Sequence, residues 1–248
     1  MNPAEWGFQS LEDQVVLLTG ASNGIGRAAA SLMARAGARL ALTARRAPAL
    51  QTLAGEIETE TGQRPLTLDF DIADEQACRA AVNTTLAQYG RVDILINNAG
   101  VGIPTPDLST ADTSVWKQQM ATNVDGVFYL TREVLKAMKK QRNGHVIMVS
   151  STAGIVGNPV APLYCTSKFA LEGYTQGLHK QAAAWREQGV HIRVSNIKPG
   201  SVDSGYWGDR DVPREKFMTC DEMAATYLWV AATPPDINVT ELRMETCR

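Results

Sequence analysis

Short runs of aliphatic and β-branched residues alternate along the chain with longer stretches whose apolar positions recur at helical spacing. Gln14–Thr19, Arg39–Thr43, Leu66–Phe70, Val92–Asn97, His145–Ser150 and Val190–Ile197 read as strands, and Asn238–Met244 as a seventh that closes the sheet. Between them, Ile25–Ala36, Pro48–Thr61, Asp74–Tyr89, Thr113–Met138 and Tyr164–Trp185 read as helices. In the long fourth helix Trp116, Met120, Val124, Val127, Leu135 and Met138 supply the apolar stripe. Gly37 stands where a left-handed residue would end the first helix. Residues 199–218 look irregular. Thr219 and Glu222 then form a capping-box pattern, opening a last helix that runs to about Ala232.

Strand–helix alternation of this kind implies parallel strands joined by right-handed crossovers. The expected fold is a single-domain α/β protein: a doubly wound, Rossmann-type parallel sheet of seven strands with helices on both faces. Ligands of such sheets bind outside the carboxyl ends of the strands. The turn after the first strand, the loop after Asn97, Ser150-Ser151, and Pro199-Gly200 with the loop beyond should therefore converge on one cleft.

The bulk numbers narrow the partners. The 248 residues suit one large α/β domain. A formal net charge of -2 gives no electrostatic case for nucleic acid or a membrane surface. No apolar run approaches the ~20 residues that span a bilayer. The start, Met1 to Trp6, lacks the pattern of a secretory signal. Cys78, Cys165, Cys220 and Cys247 are scattered and read as free thiols of a reducing compartment, the cytoplasm. His145, His179 and His191 show no metal-ligand spacing.

The chemistry begins at Thr19-Gly20-Ala21-Ser22-Asn23-Gly24-Ile25-Gly26, between a strand and a helix. Gly20 permits a tight turn, Gly24 lets the backbone approach a pyrophosphate, and Gly26 lets the helix pack closely. The helix N-terminus offers N–H groups to the phosphates, with Ser22, Asn23 and Ile25 in the same turn. A nucleoside-triphosphatase loop is disfavoured, because the Lys-Ser/Thr pair after the last glycine is missing.

An acidic residue after the second strand usually holds the ribose 2′-hydroxyl of NAD. Here Ala44 stands there, followed by Arg45 and Arg46, and no Asp or Glu occurs from Gln14 through Gly55. A 2′-phosphate would meet guanidinium and no repelling carboxylate, which favours NADP over NAD.

Tyr164 and Lys168 are four apart on a helix and share a face. Moving a tyrosine from its ordinary pKa of ~10 to near 7 takes about 4 kcal/mol. A neighbouring ammonium, with the positive ring of an oxidised nicotinamide, would supply it. The tyrosine would then exchange a proton with a carbonyl oxygen, and Ser151 would stabilise charge on that oxygen. Asn123 sits near the buried face of the fourth helix, where its amide either bonds locally and bends the helix or serves a relay. Cys165 lacks a base and reads as structural.

The ordered set resembles the short-chain dehydrogenase/reductase family over nearly the whole chain. Gly20, Gly24 and Gly26 match TGxxxGxG, Asn97–Gly100 matches NNAG, and Tyr164–Lys168 matches YxxxK. Ser151 lies thirteen positions before Tyr164, where the family has its catalytic serine, and Pro199-Gly200 follows the sixth strand. The resemblance implies that Asn123, Ser151, Tyr164 and Lys168 are catalytic, with Asn123 linked toward the lysine through water and Lys168 also reaching the nicotinamide ribose. It places Asp71 and Ile72 beside the adenine, although Asp71 also reads as an Asp near a helix start. It places Asn98 and Gly100 by the adenosine ribose, and Pro199, Gly200, Val202 and Ser204 by the carboxamide. An arginine after the second strand implies NADP; Asn23 departs from the family's other basic position.

The implied activity is NADP(H)-dependent interconversion of a carbonyl and a secondary alcohol by hydride transfer. The family commonly forms homodimers or homotetramers through its long helices. The chain is broadly similar to the 3-oxoacyl-carrier-protein reductase branch, but its C-terminus looks more like the branch acting on hydroxy amino acids and small hydroxy acids. Tyr206, Trp207, Trp6 and Met218 are candidate pocket walls or plain hydrophobic cover. The short 201–218 segment predicts a fairly open site for a small or medium carbonyl substrate. An NAD-dependent alcohol dehydrogenase and a catalytically silent cofactor-binding sensor stay open as rivals.

Overall fold

The computed structural model describes residues 10–247. Seven parallel strands form one sheet: β1 (Val15–Thr19), β2 (Arg39–Ala44), β3 (Leu66–Asp69), β4 (Ile94–Asn97), β5 (Asn143–Val149), β6 (His191–Pro199) and β7 (Glu241–Met244). Their order is β3-β2-β1-β4-β5-β6-β7, so the winding reverses between β1 and β4. The helices are α1 (Gly24–Arg35), α2 (Ala47–Thr61), α3 (Glu75–Tyr89), α4 (Thr113–Met120), α5 (Gly126–Gln141), α6 (Pro162–Glu187) and α7 (Cys220–Ala231).

The period-2 pleat sorts each central strand between two cores. Val16 and Leu18 face a layer built on α1, α2 and α7, with Ala29, Met33, Leu50, Leu53 and Tyr227 among its buried members. Leu17 faces the opposite layer, with Val82 of α3, Leu130 and Val134 of α5 and Leu171 of α6. Strands buried on both faces explain why they read as continuous apolar runs rather than alternating ones.

The helix expected over Thr113–Met138 is broken. Residues Ala121–Asp125 form a π-helical turn between α4 and α5. The extra residue shifts the phase of the stripe. Trp116 is therefore exposed and Leu135 only half-buried, while Val127, Leu130, Val134 and Met138 carry the buried face. Two strands are shorter than their apolar runs: β4 begins at Ile94 rather than Val92, and β7 at Glu241 rather than Asn238. The helix expected from Tyr164 begins two residues earlier, at Pro162, whose fixed φ suits the first turn. Gly37 has a φ of 88° just past α1, and the Thr219–Glu222 capping box forms as expected.

Where the winding reverses, the ends of β1 and β4 are clasped together. The buried Thr19 hydroxyl donates to Ile96 O (3.2 Å) and accepts from the N–H groups of Asn98 and Ala99 (2.9 Å each). Asn98 returns the contact, its Nδ2 donating to Thr19 O (2.8 Å) while its Oδ1 accepts from the Tyr227 hydroxyl (3.0 Å). Thr19→Val keeps the shape and leaves a buried N–H without its acceptor, so chemical denaturation should show a loss of about 2 kcal/mol. An unchanged midpoint and slope would mean that the clasp carries no stability.

Candidate active site

A cleft of about 720 Å³ runs across the carboxyl ends of the strands, at the reversal point. Its walls include Gly20, Ser22, Asn23, Gly24, Ile25 and Gly26 from the first turn, Arg45, Arg46, Asp71 and Ile72 at one end, and Asn98 and Gly100 beside them. Ser151, Tyr164 and Lys168 stand at the other end, under Pro199, Gly200, Val202 and Ser204. The sequence-expected residues thus meet in one place, with Asn123 a layer behind the wall.

The first turn is shaped by what cannot be there. A Cβ on Gly26 would lie 2.3 Å from Gly20 O and 2.6 Å from Asn98 Nδ2, so any side chain would push α1 off the clasp. Gly20 and Gly24 hold φ values of 70° and 54°, the left-handed region open to glycine. Asn23 occupies the N-cap of α1 without capping it through its side chain, and no acidic residue lies in the first turn. Bare backbone and a positive helix end therefore face the cleft, a donor set that fits a pyrophosphate.

At the end of the cleft beside β2 and β3 both arginines are exposed past the end of β2. Arg46 Nη2 donates to Ser22 Oγ (3.3 Å), and Arg45 stands 3.9 Å from Asp71. Asp71 is not the cap of α3. Its Oδ1 accepts from Ala73 N (3.0 Å) in a local turn, and Asp74 caps the helix by accepting from Gln76 N and Ala77 N. Ile72 is buried against Gly126 at the start of α5, where a Cβ would lie 2.7 Å from Ile72 O. Asn98 lines the cleft, but the clasp already engages both ends of its amide.

At the opposite end Lys168 is buried and its Nζ donates to Val149 O (3.0 Å), 5.7 Å from the centre of the Tyr164 ring. Burial pulls the ammonium down to about 8, and the Glu172 carboxylate one turn along α6 opposes that. Glu172 is itself held by Lys198 Nζ and Asn196 Nδ2, each at 2.9 Å.

The side chains around Tyr164 do not by themselves lower its pKa; the expected lowering also calls on the positive ring of an oxidised nicotinamide. Burial pushes the phenol up, Tyr206 adds to this, and a hydrogen bond with Ser151 only partly counters it. Desolvation is the largest of these influences. Ser151 Oγ also accepts from Ala153 N (3.1 Å).

Asn123 lies in the π-helical turn. Its Oδ1 accepts from Val101 N (2.8 Å), and its Nδ2 donates to Val101 O (2.8 Å) and Ser167 Oγ (2.9 Å). It ties the loop after β4 to α6. Cys165 is buried, and its Sγ accepts from Asn158 N (3.2 Å).

Of the candidate walls, Tyr206 and Trp207 line the cleft. Met218 does not: it is buried, in a bridge with Val202. Trp6 lies outside the described residues. Val101 and Ile103 on the loop after β4, Gln118 on α4, Thr122 in the π-helical turn and Asn158 in the 151–161 loop also line the cleft; none carries a signal of its own in the sequence, since they are ordinary loop or helix residues.

A family model described as short chain dehydrogenase matches residues 14–213. An uncharacterised oxidoreductase of Staphylococcus saprophyticus is 31% identical over 232 residues, covering 94% of this chain and 97% of its own. D-threitol dehydrogenase of Mycolicibacterium smegmatis is 34% identical over 235 residues, covering 90% of this chain and 87% of its own. An X-ray structure of an alcohol dehydrogenase from the archaeon Thermococcus sibiricus, complexed with 5-hydroxy-NADP, superposes with a TM-score of 0.83 at 26% identity, covering 95% of this chain and 97% of that one. Among the described residues no helix is long and apolar enough to cross a membrane.

The buried lysine makes stability depend on pH. Between about 8 and the ordinary lysine value of 10.5, the unfolded chain holds a proton that the folded chain has shed. Raising the pH through that window therefore favours folding. Denaturant unfolding of wild type and Lys168→Met at pH 7.5 and pH 10 should show the wild type gaining on the variant at the higher pH. Parallel behaviour would show that Lys168 keeps an ordinary affinity for its proton.

Proposed function

Because the chain belongs to the short-chain dehydrogenase family, an oxidoreductase family that interconverts carbonyls and alcohols with a nicotinamide cofactor, we propose that it is an NADP(H)-dependent carbonyl reductase with Tyr164 as its proton donor. The observation that carries this reading is geometric: Ser151, Tyr164 and Lys168 line one end of the same cleft, with the buried Lys168 Nζ 5.7 Å from the centre of the Tyr164 ring. A tyrosine so placed can give its proton to a carbonyl oxygen in reduction and take one back in oxidation.

The turn at Gly20–Gly26 and the N-terminus of α1 would hold the pyrophosphate. Arg45 and Arg46 would pair with a 2′-phosphate, since no acidic side chain stands at the end of β2 to select a free 2′-hydroxyl. When bound, the cofactor supplies the two-electron reducing equivalent. The chain's own residues supply the rest. Ser151 donates a hydrogen bond to the substrate oxygen, and Tyr164 gives that oxygen its proton as negative charge develops there. The Lys168 ammonium then stabilises the phenolate left behind, and Glu172, opposing the fall in its pKa, favours the charged form of Lys168. Asn123 fixes Val101 and Ser167, and so keeps the loop after β4 against α6.

NADP also occurs, as the 5-hydroxy derivative, in the Thermococcus sibiricus alcohol dehydrogenase that the chain resembles. The Arg45–Asp71 contact is long and solvent-exposed, so it leaves the guanidinium available to a phosphate. Replacing Arg45 with Asp should lower kcat/KM for NADPH by roughly tenfold to a hundredfold, the scale of a lost charge-assisted contact, and should leave NADH the better cofactor. Initial rates with both cofactors check this. An unchanged NADPH preference in the Arg45→Asp and Arg46→Asp variants would remove the basis for assigning NADP.

A further inference from the structure

Past Pro199-Gly200 the chain makes a short 3₁₀ turn, Gly205–Trp207, capped by Ser204 Oγ. That turn carries Tyr206 back over the cleft. Its ring lies 5.5 Å from the Tyr164 ring, centre to centre, and tilted by 48°. On the far side it rests on the backbone of Gly102, so closely that a Cβ there would lie 2.1 Å from Tyr206 Cε2 and 2.6 Å from its hydroxyl.

The roof is braced. Trp207 packs edge-on to Tyr206 (5.1 Å) and tilted on Phe217 (4.9 Å), and its Nε1 donates to Val202 O (2.7 Å). Arg210 stacks over both rings at 4.7 and 5.1 Å, while its guanidinium donates to the carbonyls of Trp207 and Tyr206. Its charge is spent on holding the turn. The charged side chains lining the cleft are Arg45, Arg46 and Asp71 at the adenosine end, and Lys168, which is turned to Val149 O. Among the described residues, the reacting end therefore has no free charge with which to greet a carboxylate or phosphate.

We propose that Tyr206, seated on Gly102, is the specificity-determining residue of this site. It packs directly on the Tyr164 ring and walls the space beside it, so that the enzyme accepts uncharged carbonyl compounds that are unbranched beside the carbonyl and rejects those branched there. The proposal rests on the reading of Tyr164 as the proton donor. A side chain at position 102 would have to displace the ring, since a Cβ there overlaps Tyr206. Shape exclusion of this kind separates substrates that differ by one or two methyl groups by roughly tenfold to two-hundredfold.

The test uses two isomeric ketones, 2-hexanone and 3,3-dimethyl-2-butanone, which match in composition and differ in branching next to the carbonyl. Wild type, Gly102→Ala, Tyr206→Ala and the double variant are compared by NADPH oxidation, by NADPH binding and by thermal unfolding. Wild type should favour 2-hexanone by tenfold or more in kcat/KM, and Tyr206→Ala should bring the ratio near one. Gly102→Ala, which displaces the ring, should also narrow the ratio and lower Tm. In the Tyr206→Ala background the same Cβ should change neither. A ratio unaffected by Tyr206→Ala would overturn the proposal, as would a Gly102→Ala effect on Tm that is the same in both backgrounds. Turnover of neither ketone by any variant that still binds NADPH would overturn the substrate class. Failure to bind NADPH would instead strike the cofactor reading beneath it.

Discussion

Where the strand order turns back, β1 and β4 lie side by side and the chain leaves them for opposite faces of the sheet. The gap that opens there is the only reason a long ligand fits against the strand ends, and its width is fixed by the clasp between Thr19 and Asn98. The clasp joins the turn after β1 to the loop after β4. Gly26 carries α1 to within van der Waals limits of it, and Tyr227 of α7 donates to its outer face. The glycine-rich turn after β1 and the loop bearing Gly100 to Gly102 are thus positioned relative to one another by one set of hydrogen bonds. Removing a partner leaves polar groups unpaired in a partly buried place, and such loss costs more than the bond itself contributes.

A second constraint acts at the other end of the cleft, where burial rather than bonding sets the chemistry. Lys168 and Tyr164 are both shifted toward their neutral forms by desolvation. Glu172 opposes this for Lys168, and is itself anchored by Lys198 and Asn196 from β6. The Lys168 side chain thus stands close to the phenol, its Nζ 5.7 Å from the centre of the Tyr164 ring. The aromatic roof of Tyr206 and Trp207 belongs to the same design, because the ring that covers Tyr164 also contributes to its raised pKa.

Most of the frame was legible from residue patterns, because each signal is local. Fully buried strands show as unbroken apolar runs such as Val15–Thr19, glycines mark the phosphate turn, and Thr219 with Glu222 marks a helix start. Tyr164 and Lys168 are readable together because helical spacing alone puts them on one face. What could not be read depends on three-dimensional neighbours. The π-helical turn at Ala121–Asp125 has no composition of its own, so the stripe through Trp116 and Leu135 was followed straight across it. Asn98 reads as a cleft residue, yet its amide is absorbed by Thr19 and Tyr227 from distant parts of the chain. The direction of the Tyr164 shift turns on how deeply the phenol is desolvated, which no spacing reveals. The seat of Tyr206 on Gly102 joins residues more than a hundred positions apart.

The proton on Tyr164 is the point on which this account stands or falls. Its most direct test is Tyr164→Phe, followed in parallel by NADPH binding and by NADPH-dependent reduction of an uncharged ketone that the wild type turns over. Phenylalanine keeps the ring between Lys168 and Tyr206 and removes only the hydroxyl. The account predicts unchanged NADPH affinity with reduction lowered by roughly a hundredfold or more, in line with the loss of general acid catalysis. Reduction at near wild-type rate in that variant would contradict it, and would assign the proton to another group of the cleft.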